Sequence, residues 1–332
     1  MVAHRTRREK LRRRLLSVPA LVATTFILTV TMPVWLPIVA VVDAVRFKFR
    51  FPLARLLTFG VLWCWIECAG VLRSAALWVV GRSGDHVAQY RVMGWWSGLL
   101  MKALGLTIGV DPRIENLEAI EGGNAIVLAR HASLADSLLS GWVFSNVAGV
   151  HPRYVLKREL LFDPCLDIVG LRVPNHFLDR EAADSSVELD ALRDLGAQVG
   201  DGSVGVIFVE GTRSNDHKRA RALQKIGERN PERAASLSGL RRLLPPRPAG
   251  SAAILEGAPN ADVVLAWHTG FDGLDTFSGM LDKLSKPLPQ VRFVMTRFPR
   301  SEVPEGEAFA DWLDRRWLEM DAAVDEALSE PA

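Results

Sequence analysis

Behind the basic run RTRREKLRRR at 5–14, the chain continues from Leu15 to Val42 without a single charged side chain. An uncharged run of that length is long enough to enter a bilayer. A cleaved signal would carry a shorter apolar core, about 7 to 15 residues, ending in a small-residue cleavage site, and this run shows neither feature. Pro33 and Pro37 remove backbone donors near its middle and predict a kink or fold-back. A second apolar stretch, Leu56 to Val80, is interrupted by Glu67 and Arg73, and its Trp63, Trp65 and Trp78 suit a boundary where a ring meets water and lipid together. Were both runs simple spans, Arg46, Lys48, Arg50 and Arg55 between them would have to cross the membrane, against the tendency of basic loops to stay inside. The expectation is therefore a re-entrant or monotopic helical hairpin over residues 1–82. Its basic flanks would lie on the cytoplasmic face against anionic headgroups, with two ordinary spans as the alternative.

Past residue 83 the pattern changes to short β-rich runs alternating with helical stretches, which makes 83–332 a second unit. Candidate strands are Ala125–Ala129, Tyr154–Leu156, Val173–Phe177, Val204–Val209, Asp262–Trp267 and Val291–Thr296. Apolar spacings of three and four place helices near 136–148, 181–199 and 217–229, and Phe309, Trp312, Leu313, Trp317, Met320 and Val324 form one stripe of a last helix. The fold class that follows is α/β: a mixed, mostly parallel sheet flanked by helices, preceded by the apolar hairpin. With 40 Lys and Arg against 38 Asp and Glu there is no overall field of the kind that announces a nucleic-acid partner. Cys64, Cys68 and Cys165 are too few and too badly placed for a disulfide framework, as expected of a reducing compartment, and the seven scattered histidines give no metal-ligand spacing.

Familiar nucleotide and nucleophile motifs fail on context. Gly200, Gly202 and Gly205 spell G-x-G-x-x-G but precede a strand instead of following one, so they read as a turn. No G-x-S-x-G elbow and no Gly-Lys dipeptide occurs. What stands out is ARHASLAD, where His131 and Asp136 follow the first strand of this unit. Five positions apart on an ideal helix, two side chains point roughly 140° away from each other, so they pair only if His131 sits in the turn before the helix. Asp136 would then fix the imidazole tautomer and leave the second nitrogen as a general base for a hydroxyl. Further on, the strand ending FVEGTRS sets Glu210, Gly211, Thr212 and Arg213 at a sheet edge, where a guanidinium, a hydroxyl and backbone N–H groups suit a phosphate.

These blocks resemble those of the glycerolipid acyltransferases, the lysophosphatidate acyltransferase family, which carries His-x4-Asp and Phe-Pro-Glu-Gly-Thr-Arg in the same order. KRELLFDPCLDIVG at 157–170 is similar to the family's Lys-x-Glu-Leu segment and HFLDR at 176–180 to its Phe-x-x-Arg, while LLPPRPAG at 243–250 and VRFVMTRFP at 291–299 look like the lysocardiolipin acyltransferase branch. Arg130 stands where the family usually has Asn, Val209 where it has Pro, and the late strand VLAWH at 264–268 lacks the family's proline. The resemblance implies transfer of a fatty acyl group from acyl-CoA or acyl carrier protein to the free hydroxyl of a lysophospholipid at the membrane, without a covalent intermediate, a cofactor or a metal. It implies His131 and Asp136 as catalytic, and Lys157, Arg180, Glu210, Gly211, Thr212 and Arg213 as the residues that hold the acceptor. Its commonest acceptor is 1-acyl-sn-glycerol-3-phosphate, which gives phosphatidic acid. The late-chain similarity points instead to a larger lysolipid, lysocardiolipin or lysophosphatidylinositol. A non-catalytic lipid-binding protein would keep the hairpin but has no need of the His131 and Asp136 pair.

Overall fold

In the computed structural model, which describes residues 7–133, 135–178, 185–274 and 276–329, the apolar runs form two long helices, α1 (Arg7–Val45) and α2 (Pro52–Val79). They run antiparallel: Thr25 meets Cys68, the Trp65 indole donates to Thr29 Oγ1 at 3.0 Å, and Asp43 accepts from the Leu53 and Ala54 N–H groups that open α2. The expected fold-back does not occur. α1 continues through Pro19, Pro33 and Pro37 as one helix. Each proline removes one backbone bond, but leaving the helix would strand many more polar groups in an uncharged run, and apolar helices tolerate proline for that reason. One face of α1 stays uncovered, with Phe26, Ile27, Val30, Val34, Ile38 and Val41 exposed at helical spacing.

After α3 (His86–Ile108) the chain enters the sheet with β1 (Pro112–Glu115), β2 (Ala125–Ala129), α4 (Asp136–Trp142), β3 (His151–Lys157), β4 (His176–Leu178), α5 (Ser185–Ala197) and β5 (Ser203–Phe208). It continues through α6 (Asp216–Gly227), α7 (Pro231–Ser236), α8 (Pro248–Gly257), β6 (Asp262–Thr269), α9 (Phe277–Leu284), β7 (Val291–Phe298) and α10 (Glu307–Ser329). Seven strands stand in the order β1-β7-β6-β2-β5-β3-β4, and every pairing is parallel except β6 with β7. The expected mixed, mostly parallel sheet flanked by helices is therefore what the chain forms.

Strand β2 lies near the middle, and all five of its residues are buried, as a strand covered on both faces requires. Its odd positions, Ala125, Val127 and Ala129, join Leu100 and Leu104 of α3 and Leu138 and Leu139 of α4. Ile126 and Leu128 turn the other way, onto Leu192 of α5, Ile254 of α8 and Trp317 of α10. Helices α5 and α8 cross so closely that a Cβ on Gly196 would lie 2.1 Å from the Ile254 carbonyl oxygen, and one on Gly257 2.0 Å from that of Arg193.

Smaller departures have local causes. The strand expected at Val173–Phe177 forms at His176–Leu178, because Pro174 and the turn before it delay pairing with β3. The helix expected to 148 is α-helical to Trp142 and widens into a π turn over Val143–Val147. Strand β1 is too short and too polar to have been seen. Of the helix expected at 181–199, residues 181–184 lie outside the described residues. Trp63 packs its ring edge-on against Phe59 instead of facing outward, while Trp65 and Trp78 are exposed as expected.

Candidate active site

β2, β5 and β6 run side by side in the same direction, so their carboxyl ends open onto one edge of the sheet, where an α/β sheet places its chemistry. His131 leaves β2 in the turn before α4, and Asp136 is the first residue of that helix. The turn brings them together as their spacing requires: His131 Nδ1 donates to Asp136 Oδ2 at 2.7 Å. Asp136 is buried and also accepts from the backbone N–H of Ala132 at 2.6 Å, from that of Ser133 at 2.9 Å, and from the Ser133 hydroxyl. Burial alone would raise its carboxyl, but nearby His268 and the bond and charge of His131 hold it well below the ordinary carboxylate range. The pair is therefore an ionised carboxylate that fixes the imidazole through Nδ1. His131 lines a cavity and stacks at a tilt on Phe208, with ring centroids 4.8 Å apart, and its Nε2 has no partner among the described residues.

Glu210 lies at the end of β5, beneath the turn. One carboxyl oxygen accepts from the His131 N–H at 2.8 Å, the other from the Leu244 N–H at 3.0 Å. Being buried, its acid is pushed up to about 8, against the two N–H groups and the Arg130 charge, which favour the ionised form. Glu210, expected to help hold the acceptor, is 1 % exposed with both oxygens engaged, and it ties three chain segments together under the imidazole. Ser214 N–H closes the same junction by donating to the His131 carbonyl at 2.9 Å.

The cavity, about 490 Å³, has two kinds of wall. Leu156, Leu160, Leu178, Leu189, Leu192 and Ile207 make it apolar, while Lys157, Arg213 and Arg247 add basic groups. A buried pair sits at one side, His176 Nε2 donating to Glu188 at 2.7 Å. Gly211 adopts φ +70°, and a Cβ there would lie 3.2 Å from the Arg247 guanidinium, so glycine both makes the turn and admits that side chain. Thr212 does not line the cavity; its hydroxyl faces Lys218 Nζ at 3.5 Å, and the same ammonium donates to the Arg213 carbonyl at 3.0 Å, bracing the loop from α6. Arg180 lies outside the described residues. Of the expected binding residues the structure thus brings Lys157, Gly211 and Arg213 to the cavity with His131, and places Glu210 and Thr212 outside its lining.

Two residues went unseen in the sequence. Arg247 precedes α8, more than thirty residues beyond Arg213, and its guanidinium makes no hydrogen bond or ion pair with the described residues. His268 sits on β6, its Nε2 2.9 Å from Asp136 Oδ1. The LLPPRPAG block pointed at the first; nothing local pointed at the second.

The site is thus a histidine–carboxylate pair at the carboxyl edge of an α/β sheet, facing a cavity that is apolar on one side and basic on the other. Residues 111–259, from β1 to the end of α8, match the protein-family model described as Acyltransferase. The matched segment carries the His131–Asp136 and Glu210–Arg213 blocks that resemble those of the glycerolipid acyltransferases. Among solved structures, the 1-acyl-sn-glycerophosphate (LPA) acyltransferase PlsC from Thermotoga maritima aligns at 16% identity over 80% of this chain and 98% of that one, with a TM-score of 0.47. No curated protein matches the chain.

Proposed function

We propose that this acyltransferase moves a fatty acyl group from acyl-CoA or acyl carrier protein to the free hydroxyl of a lysophospholipid, with 1-acyl-sn-glycerol-3-phosphate as acceptor and phosphatidic acid as product. The observation that carries the reading is an imidazole tied by Nδ1 to Asp136, with its other nitrogen at a cavity that is apolar on one side and basic on the other. In the mechanism, His131 Nε2 takes the hydroxyl proton as the oxygen attacks the thioester carbonyl. The tetrahedral adduct collapses, expels the thiolate, and the imidazolium returns the proton to it. Asp136 stays ionised throughout and stabilises the imidazolium. The 131–133 amides are engaged by Glu210 and Asp136, so the oxyanion is met from the 211–213 loop and the neighbouring cations. Lys157, Arg213 and Arg247 hold the acceptor phosphate, and the motif resemblance adds Arg180 to that role. Arg247, a third cation at the cavity beside Lys157 and Arg213, favours the second reading: a larger lysolipid with more than one anionic group, such as lysocardiolipin.

We further propose that the hairpin, residues 1–82, lies in the membrane surface, not across it, with the catalytic unit 83–332 on the cytoplasmic face. Two attachments support this. At one end of α1, Arg13 and Arg14 both grip the buried Asp167, at 2.6 Å and 3.1 Å; at the other, Lys48 meets Asp282 at 3.3 Å, and Arg55 donates to the carbonyls of Thr107 and Ile108. The helix between these ties spans about 50 Å at roughly 1.5 Å per residue, more than the ~30 Å of a hydrocarbon core, yet both ends are tied to one domain. Arg13 and Arg14 therefore serve the domain and not lipid headgroups. Protease cutting of the 46–52 loop from the far side of sealed vesicles would overturn the in-plane reading.

Purified protein in micelles with labelled oleoyl-CoA and a panel of lysolipids tests the chemistry. Product should form on a phosphate-bearing acceptor, and His131→Ala should remove it with folding and membrane association intact; wild-type turnover in that variant ends the assignment.

A further inference from the structure

Strands β2 and β6 pair in parallel with Ala129 opposite Ala266, so two residues further on His131 and His268 stand at the same level on neighbouring strands. Asp136 lies between them. Its Oδ2 takes His131 Nδ1 at 2.7 Å, and its Oδ1 lies 2.9 Å from His268 Nε2. The His268 ring is buried, packs edge-on to Phe271 at 5.8 Å, and neither of its nitrogens is in line with an acceptor for a well-directed bond. Buried polar atoms left in that state call for a reason. The backbone of His268 is held as well. Arg130, buried beside it, donates to the His268 carbonyl through one amino group and meets Asp272 at 2.5 Å through the other, while its own N–H donates to the Ala266 carbonyl at 2.9 Å. Two positions where this sequence departs from the acyltransferase motifs, Arg130 and the proline-free strand VLAWH, thus meet at one point, behind the dyad.

We infer that His268 is a positioning residue for acyl transfer: together with the Ser133 N–H and hydroxyl it confines Oδ1 of Asp136, so that the carboxylate cannot rotate away from His131, and Arg130 holds His268 at that height. The inference rests on the reading of His131 and Asp136 as base and orienter. His268 does not line the cavity, and its loss should therefore change turnover and not binding.

The test runs His268→Ala, His268→Gln and His268→Leu beside His131→Ala in the micelle assay, with far-UV circular dichroism to set the folded fraction of each. His268→Ala is expected to lower kcat at least tenfold with KM for both acyl donor and lysolipid within twofold. His268→Gln, which keeps a polar N–H group within reach of Asp136 Oδ1, should recover most of that loss, and His268→Leu, which fills the space without one, should not. If His268→Leu recovers as well as His268→Gln, the residue only fills space and the inference falls. If His268→Ala turns over like wild type while His131→Ala is inactive, the inference falls and the acyl-transfer reading stands; if both are active, that reading falls. Should His268→Ala fail to fold, the Gln and Leu variants, compared at equal folded fraction, decide the question on the same criterion.

Discussion

The turn at 131–136 and the basic wall at 157, 213 and 247 face one cavity, yet they are held in different ways. In the turn, the amides of His131, Ala132 and Ser133 are each taken by a buried carboxylate, and Asp136 and Glu210 are themselves 1 % exposed. On the wall, Lys157 and Arg213 are half-buried and Arg247 is exposed, long side chains reaching in from β3, the end of β5 and the entry to α8. Proton transfer fails when a base moves by about an ångström, whereas a phosphate with three oxygens can be met by flexible cations from several directions. The difference separates the variants: changes in the turn should act on kcat and stability, changes on the wall on KM.

The largest effect is expected at the centre of the turn. Asp136→Asn removes the charge that five groups converge on and permits the wrong imidazole tautomer; kcat should fall about 10²- to 10⁴-fold with KM little changed. Stability carries a sign that can be checked. The native carboxyl is held below its ordinary range, so its contribution is present above the unfolded value, near 4, and is lost as pH falls further. Thermal midpoints of wild type and variant should therefore converge on acidification, and a gap that stays constant down to the acid limit would break the account of Asp136.

Glu210 gives the opposite slope. Its acid is raised on folding, so its favourable contribution is complete below about 4.5 and is lost as pH rises through about 8. Glu210→Gln cannot accept from both His131 and Leu244 and should be destabilised at every pH, but less at pH 9 than at pH 5, where wild type escapes the cost of a buried charge. Parallel pH curves for the two proteins would show that Glu210 is not buried as described.

How much of this contrast the sequence disclosed follows from distance along the chain. His131 and Asp136 are five residues apart across one turn, and strands such as Ala125–Ala129 announce themselves by unbroken apolar runs, so dyad and sheet class were both readable. His268 joins them only because β6 lies beside β2 in a particular register, and a register across more than a hundred residues leaves no local pattern. Glu210 and Thr212 stood in the right motif, but which way a loop side chain turns is decided by Leu244 and Lys218, which are not part of it. In α1, proline chemistry was read correctly and outweighed by the apolar length around it.

On the wall, Arg247→Ala should raise KM for lysophosphatidate about tenfold, the worth of one charge-assisted contact, and leave kcat within twofold. The same variant sharpens the choice of acceptor. If the preferred substrate carries a second anionic group, the KM penalty should be larger for that lysolipid than for lysophosphatidate. A drop in kcat at unchanged KM would move Arg247 to the other side of the comparison, into the machinery of the turn.

The smallest effect is expected where hairpin and domain meet. Arg14 shares the buried Asp167 with Arg13 and is itself about a third exposed, so Arg14→Ala leaves the shorter ion pair in place. A partly exposed pair of this kind is worth at most about 1 kcal/mol. Activity on micellar acceptor should not change, since neither group approaches the cavity. On acceptor embedded in vesicles the domain must sit at a fixed height over the headgroups, and a loosened α1 should lower turnover about two- to threefold. Equal loss in micelles and vesicles would mean that Asp167 acts on the fold of the catalytic unit; loss confined to vesicles would mean that the arginine clasp sets how the cavity meets the membrane.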